Sequence, residues 1–199
     1  AKVQVTGGVL QVDQSPRMED LTGDTYVAIA NENVHFIIKI SAEYKKQLHR
    51  RYQKENRLKF FAADVFAKAI STLLLETRIE PARLEIDNEY PGYLPRMNQI
   101  IKAASPSLSV TYKSLGHSSL SFAHWAAYRA MKKEYVSTYG ALWDGNEEIK
   151  IDRGTLKGVG QGVVTLVSLN QIRNTRDLMA KVYQKSARLS MGSINSPQA

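Results

Sequence analysis

The chain predicts a mixed α/β fold, and three observations carry that prediction. Runs of alternating or β-branched residues recur at 3–12, 25–30, 34–40, 84–87 and 108–112. Longer segments with apolar residues at helical spacing stand between the later runs, and Asn-, Pro- and Gly-containing stretches punctuate them. The resulting order is three strands, helix, strand, helix, strand, helix. Strands joined by crossover helices run parallel and a tight hairpin runs antiparallel, so the expected architecture is a mixed sheet flanked by helices.

Residues 3–12 read as a strand bent at Gly7-Gly8, and Arg17 to Asp24 as a polar loop. Thr25–Ala30 and Val34–Ile40 flank Asn31-Glu32-Asn33, the signature of a hairpin. Ser41 is placed to cap a basic segment opened by Ala42-Glu43-Tyr44. Over 58–76, Phe61, Val65, Ala69 and Leu73 recur at helical spacing, with Phe66, Ile70 and Leu74 beside them, which predicts a helix with a broad buried face. Pro81 precedes the strand 84–87, Pro91-Gly92 marks a turn, and Leu94 to Ala104 forms a helix with Pro95 in its first turn. After the strand 108–112, Gly116 to Ser119 leads into a helix from about Leu120 to Tyr135 with a serine N-cap.

The texture changes after Gly140, so the expected organisation is a domain over 1–140 and a small strand–helix extension over 141–199. The extension reads as strands at 149–152 and 163–169 around a glycine-punctuated loop at 154–162. An amphipathic helix capped by Asn174 or Thr175 and running to Arg188 follows, with a small polar tail. The glycine run lacks the Gly-Lys-Ser/Thr ending of a phosphate loop.

With no cysteine, the chain has no disulfide, thiolate zinc site or cysteine nucleophile. No apolar run reaches membrane-spanning length and the first residues lack a signal-peptide core, so a cytoplasmic protein without a membrane partner is expected. The net charge of +8 favours a polyanion partner such as DNA or RNA. The charge is concentrated: Lys45, Lys46, Arg50, Arg51, Lys54, Arg57 and Lys59 fall in one segment interleaved with Tyr44, Tyr52 and Phe60. Such a segment is suited to track a phosphate backbone while an aromatic ring stacks on a base, the plainer reading being one solvated charged face. A second basic set, Arg173, Arg176, Lys181, Lys185 and Arg188, lies near the C-terminus.

Two lone acids stand near strand ends: Asp13 in Val9-Leu10-Gln11-Val12-Asp13-Gln14-Ser15, and Asp87 in Leu84-Glu85-Ile86-Asp87-Asn88-Glu89-Tyr90. Carboxylates on neighbouring strand ends supply the hard oxygen ligands that magnesium or manganese takes. Each also has a plainer role, Asp13 as a cap on the turn at Ser15-Pro16 and Asp87 as a turn initiator. Glu85 and Glu89 share the alternating face of Asp87; Glu89 is placed to reach a metal from just beyond the strand, and the plainer role of both is that of a solvated glutamate. A serine triad from Ser119, His124 and Asp87 lacks the nucleophile-elbow motif.

This element order, with one aspartate on the first strand and another on the fourth, resembles the ribonuclease H-like superfamily over roughly residues 3–135. The resemblance implies acids from the first strand, first helix, fourth strand and a late helix around two divalent cations, which activate water and stabilise the leaving oxygen of a phosphodiester. Asp13 and Asp87 match the two strand positions. Asp64 lies in the first long helix, where the family often carries an acid, although it also stands four residues before Lys68, the spacing of an exposed ion pair. In Ser118-Ser119-Leu120-Ser121-Phe122-Ala123-His124-Trp125, His124 occupies the place of the late-helix acid. There it is expected to act as an auxiliary ligand or proton carrier, or to pack beside Trp125 with a hydrogen bond from Ser121. His117, just before this helix, is a candidate for a phosphate contact.

The expected function is therefore metal-dependent hydrolysis of nucleic-acid phosphodiester bonds, with Mg2+ or Mn2+ held by Asp13 and Asp87, with Asp64 or Glu89 as the third acid and His124 as an auxiliary ligand or proton carrier. The alternative is a catalytically inactive nucleic-acid-binding or assembly module on the same scaffold, favoured by the missing late-helix acid.

Overall fold

The computed structural model describes residues 7–132, 135–137, 149–156 and 163–169. Among these, β1 (Val9–Ser15), β2 (Thr25–Ala30) and β3 (Val34–Ile40) form an antiparallel meander. β4 (Arg83–Asp87) lies parallel to β1 on its other side, and β5 (Ser109–Lys113) lies parallel to β4. The order β5-β4-β1-β2-β3 continues through β8 (Val163–Leu169), parallel to β3, then β7 (Ile149–Leu156) and β6 (Tyr135–Ser137), both antiparallel to their neighbours. The described strands thus form one mixed sheet that runs from the first half of the chain into the second.

Local chemistry accounts for the turns. Asn31 ends β2 by accepting the amides of Asn33 and Val34 on its side-chain oxygen at 2.8 and 2.9 Å, an Asx-type turn that closes the hairpin. Ser41 caps α1 (Ala42–Lys54) by accepting from the Tyr44 amide. Asn56, at φ 54, breaks the chain between α1 and a 3-10 turn at Leu58–Phe60 that leads into α2 (Phe61–Thr77). Arg78, at φ 56, ends α2 in the left-handed conformation. α3 (Leu94–Ala104) carries its proline in the first turn.

The two faces of the sheet differ, and the difference positions the site. Leu10, Val12, Val27, Ile29, Ile38 and Ile40 meet α1, α2 and α3 in the main core, with Phe66, Ile70, Leu73 and Leu74 of α2 fully buried. On the opposite face α4 (Phe122–Met131) lays Ala123, Ala126, Ala127 and Ala130 on Ala28, Ala30 and Ile37. Alanine against alanine leaves little side-chain volume between helix and sheet, so α4 sits close to the strands. Because side chains alternate along a strand, Leu10 and Val12 of β1 go to the main core while Gln11 and Asp13 go to the α4 side.

Three local expectations are corrected. The first strand follows the expected bend at Gly7 and Gly8, both at positive φ, but reaches Ser15 rather than stopping at residue 12; residues 1–6 lie outside the described ones. The fourth helix ends at Met131, and Tyr135–Ser137 is a strand, as suits its tyrosine-valine pair. β7 extends to Leu156 and so takes in Gly154, in place of the expected loop start. The helix expected from Asn174 or Thr175 to Arg188, its basic residues and the polar tail fall outside the described residues. No helix among the described residues is long and apolar enough to cross a membrane.

Candidate metal centre

β1 and β4 are parallel neighbours in the register Val12↔Ile86, so the next residue on each strand, Asp13 and Asp87, emerges side by side on the α4 face. Asp87 closes its strand in a tight turn, with the Glu89 amide donating to the Asp87 carbonyl at 2.9 Å, and this brings the Glu89 carboxylate back to the same point. Asp13, Asp87 and Glu89 each offer one oxygen, and these oxygens lie within 4.8 Å of one another. Two strand ends and a turn, fixed by backbone pairing, thus place three carboxylates in reach of one cation.

Each carboxylate is held by a neighbour. Asp13, only 4% exposed, accepts the Gln14 amide on Oδ1 at 2.7 Å and faces His124 Nδ1 with Oδ2 at 3.0 Å. Asp87 accepts the Leu115 amide at 2.8 Å, which ties the loop before α4 to the strand end. Glu89 forms an ion pair with Arg17, a residue of the loop following β1. Burial raises the Asp13 carboxyl above its ordinary value, and the nearby Asp87 adds to this against the opposing Gln14 amide and His124. Glu89 is likewise raised, first by burial and then by Asp87, with Arg17 pulling the other way. Three carboxylate oxygens this close together could hold a metal ion.

The structure therefore brings together Asp13, Asp87, Glu89 and His124, four of the residues singled out in the sequence. His124 reaches Asp13 because it follows Ala123, one of the alanines that seat α4 on the sheet. Its Nδ1 is taken up by Asp13, while Ser121, expected to bond it, donates instead to the Leu115 carbonyl at 2.7 Å. The Trp125 ring stands edge-on to His124 at 4.9 Å, as the packing alternative expected.

Asp64 is a correction. It is 1% exposed on the main-core side of the sheet, gripped by Arg96 of α3 through Nε at 2.5 Å and Nη2 at 2.8 Å, and it accepts the Tyr52 hydroxyl at 2.9 Å. A carboxylate used by a two-pronged guanidinium and a phenol has little capacity left for a metal. The expected exposed pair with Lys68 is absent too, for Lys68 Nζ bonds the Tyr52 hydroxyl at 3.1 Å.

Lys45 is a second correction. Its side chain is fully buried, bonding the Asp20 carbonyl and, at 2.8 Å, the Thr25 hydroxyl, so it is closed to a phosphate backbone. Of the other proposed backbone contacts, Lys46, Arg50, Arg51 and Lys54 are exposed along α1. Arg51 and Arg57 both pair with Glu55, and Arg57 lies over the Tyr52 ring at 4.8 Å. β3 ends at Ile40 opposite Thr25, beside the Ser15↔Tyr26 pair, so α1 departs from the end of the sheet that carries Asp13.

Arg17, in the sequence only one residue of a polar loop, joins the site through Glu89. Its position two residues beyond the strand that bears Asp13 was the signal available. Glu85, on the same face as Asp87, is occupied by Arg83 at 3.3 Å and Lys113 at 2.6 Å.

The chain matches no family model, no curated protein and no solved structure.

Proposed function

We propose that this protein is a divalent-metal-dependent nuclease of ribonuclease H-like architecture. The observation that carries the reading is the convergence of the Asp13, Asp87 and Glu89 oxygens within 4.8 Å at adjacent parallel strand ends. The strand order β5-β4-β1-β2-β3, an antiparallel meander followed by parallel strands, supports the same architecture.

Asp13, Asp87 and Glu89 would hold Mg2+ or Mn2+, which when bound supplies an activated water and neutralises charge on the phosphate. His124 fixes the Asp13 carboxylate from behind through the 3.0 Å contact, so one oxygen keeps a defined direction. Arg17 holds Glu89 at the rim and, with its side chain 61% exposed, stands ready to meet a phosphate oxygen. The exposed α1 cations Lys46, Arg50 and Lys54 leave the same end of the sheet and carry the more distant phosphates of a DNA or RNA strand.

The test is cleavage of end-labelled DNA, RNA and hybrid oligonucleotides with Mg2+, with Mn2+ and with EDTA. Metal-dependent cleavage lost in both Asp13→Asn and Asp87→Asn is expected. Cleavage that survives Asp13→Asn would remove the site.

One observation favours the binding-module alternative. His124 occupies Oδ2 of Asp13, an oxygen that a further cation would otherwise take. That alternative predicts salt-sensitive oligonucleotide binding with no cleavage in any metal.

A further inference from the structure

The loop between β5 and α4 is rigidly held although its side chains are exposed. The Leu115 amide donates to Asp87, Ser121 to the Leu115 carbonyl, and the Trp125 indole to the Ser118 carbonyl at 2.9 Å. Gln11, one turn of the pleat before Asp13, donates to the Leu120 carbonyl at 2.9 Å. The strands that carry the carboxylates therefore also fix this loop.

The loop presents an apolar surface beside the acids. Leu120 is 67% exposed, the most exposed of the large hydrophobic side chains among the described residues. The ring of exposed His117 packs on His124 at 4.3 Å between centroids, and His124 in turn touches Asp13. Half-buried Trp125 and Tyr128 continue the cluster, with Trp125 edge-on to both His124 and Tyr128. His117 lies one side chain, His124, from Asp13, and Leu120 stands exposed on the same loop; a ring and a leucine so presented suit a ligand that joins an apolar plane to a phosphate.

Resting on the nuclease reading above, we infer that His117, Leu120 and Trp125 form a wall that receives an unpaired nucleobase, so that the substrate is single-stranded nucleic acid. The chain's surplus of +8 supplies the backbone attraction, and α1 adds its cations from the same end of the sheet, on the face opposite α4. The wall supplies the discrimination. In a duplex both faces of a base are covered by its neighbours, whereas an unpaired base has a face to give.

The experiment is fluorescence-anisotropy binding in EDTA, where cleavage plays no part. A short mixed-sequence single strand and its blunt duplex are compared, as DNA and as RNA. The single strand of at least one of the two is expected to bind about tenfold more tightly than its duplex. His117→Ala and Leu120→Ser, both on the surface, are expected to weaken single-strand binding about five- to tenfold without changing its salt dependence, and His117→Phe to restore it. Equal affinity for duplex and single strand, unchanged binding in the Ala and Ser variants, or failure of the phenylalanine to restore it overturns the wall. The two readings fail separately. Without nuclease activity the single-strand preference persists in EDTA while no metal gives cleavage; without the wall, cleavage proceeds and is indifferent to residues 117 and 120.

Discussion

Replacing Asp87 by asparagine should stabilise the metal-free protein while removing its response to metal. The Asp87 oxygen that receives the Leu115 amide is retained as an amide oxygen, so the loop anchor survives. What disappears is one of three negative charges whose oxygens lie within 4.8 Å of one another. At that spacing, two carboxylates in a partly screened environment repel by up to ~3 kcal/mol. Arg17 and His124 offset part of this, and Asp87 is itself half-buried rather than enclosed. A net gain of about 1 kcal/mol remains, equivalent to a rise of about 2–4 °C in Tm for a chain of this size.

The pH dependence has a definite sign. The folded-state values of Asp13 and Glu89 are raised, so each group's contribution to the fold is fully present below its unfolded value and is lost as pH rises through the folded one. Removing Asp87 takes away one cause of both shifts. The variant's advantage in EDTA should therefore be small near pH 4 and widen toward neutral pH. Saturating Mg2+ should reverse the order, because a ligand at about 100 times its Kd stabilises the parent by ~2.7 kcal/mol. Differential scanning calorimetry from pH 4 to 7, with EDTA and with Mg2+, reads both effects. A variant that melts at or below the parent in EDTA across that range, or gains equally from Mg2+, refutes the reasoning.

Arg96→Ala should cost about 2–3 kcal/mol in urea unfolding, because it strands the buried Asp64 with only the Tyr52 hydroxyl, while water reaching the half-exposed Arg96 site limits the loss. Metal-stimulated cleavage by the folded variant should be unchanged, and a loss of metal affinity would return Asp64 to the ligand set. Lys45→Met should cost ~1–3 kcal/mol by leaving the Asp20 carbonyl and Thr25 hydroxyl without their donor, with oligonucleotide affinity unaltered. Arg50→Ala should do the opposite, sparing stability and lowering the salt slope of binding by about one, as salt titrations of both variants would show.

The placement of Asp13 and Asp87 was legible because it depends on a local rule. Alternation along each strand sends Asp13 to the face opposite Val12 and Asp87 to the face opposite Ile86. A parallel crossover between the two strands then makes the acids neighbours. Asp64 and Lys45 misled for the complementary reason. Asp64 has a lysine at the spacing of an exposed pair, yet its partner is Arg96, 32 residues away on another helix. Lys45 belongs to a run of cations that reads as one solvated face, yet the loop carrying Asp20 folds over it. A charge's partner is decided by which helices and loops meet, and no window of a few residues contains that information. The same distinction separates the parts of the proposed site. Its carboxylates follow from strand periodicity, whereas Arg17 and His117 join them only through the loops after β1 and β5. Those loops are therefore where variants should alter the substrate choice of the proposed site while Asp13 and Asp87 keep their places at the strand ends.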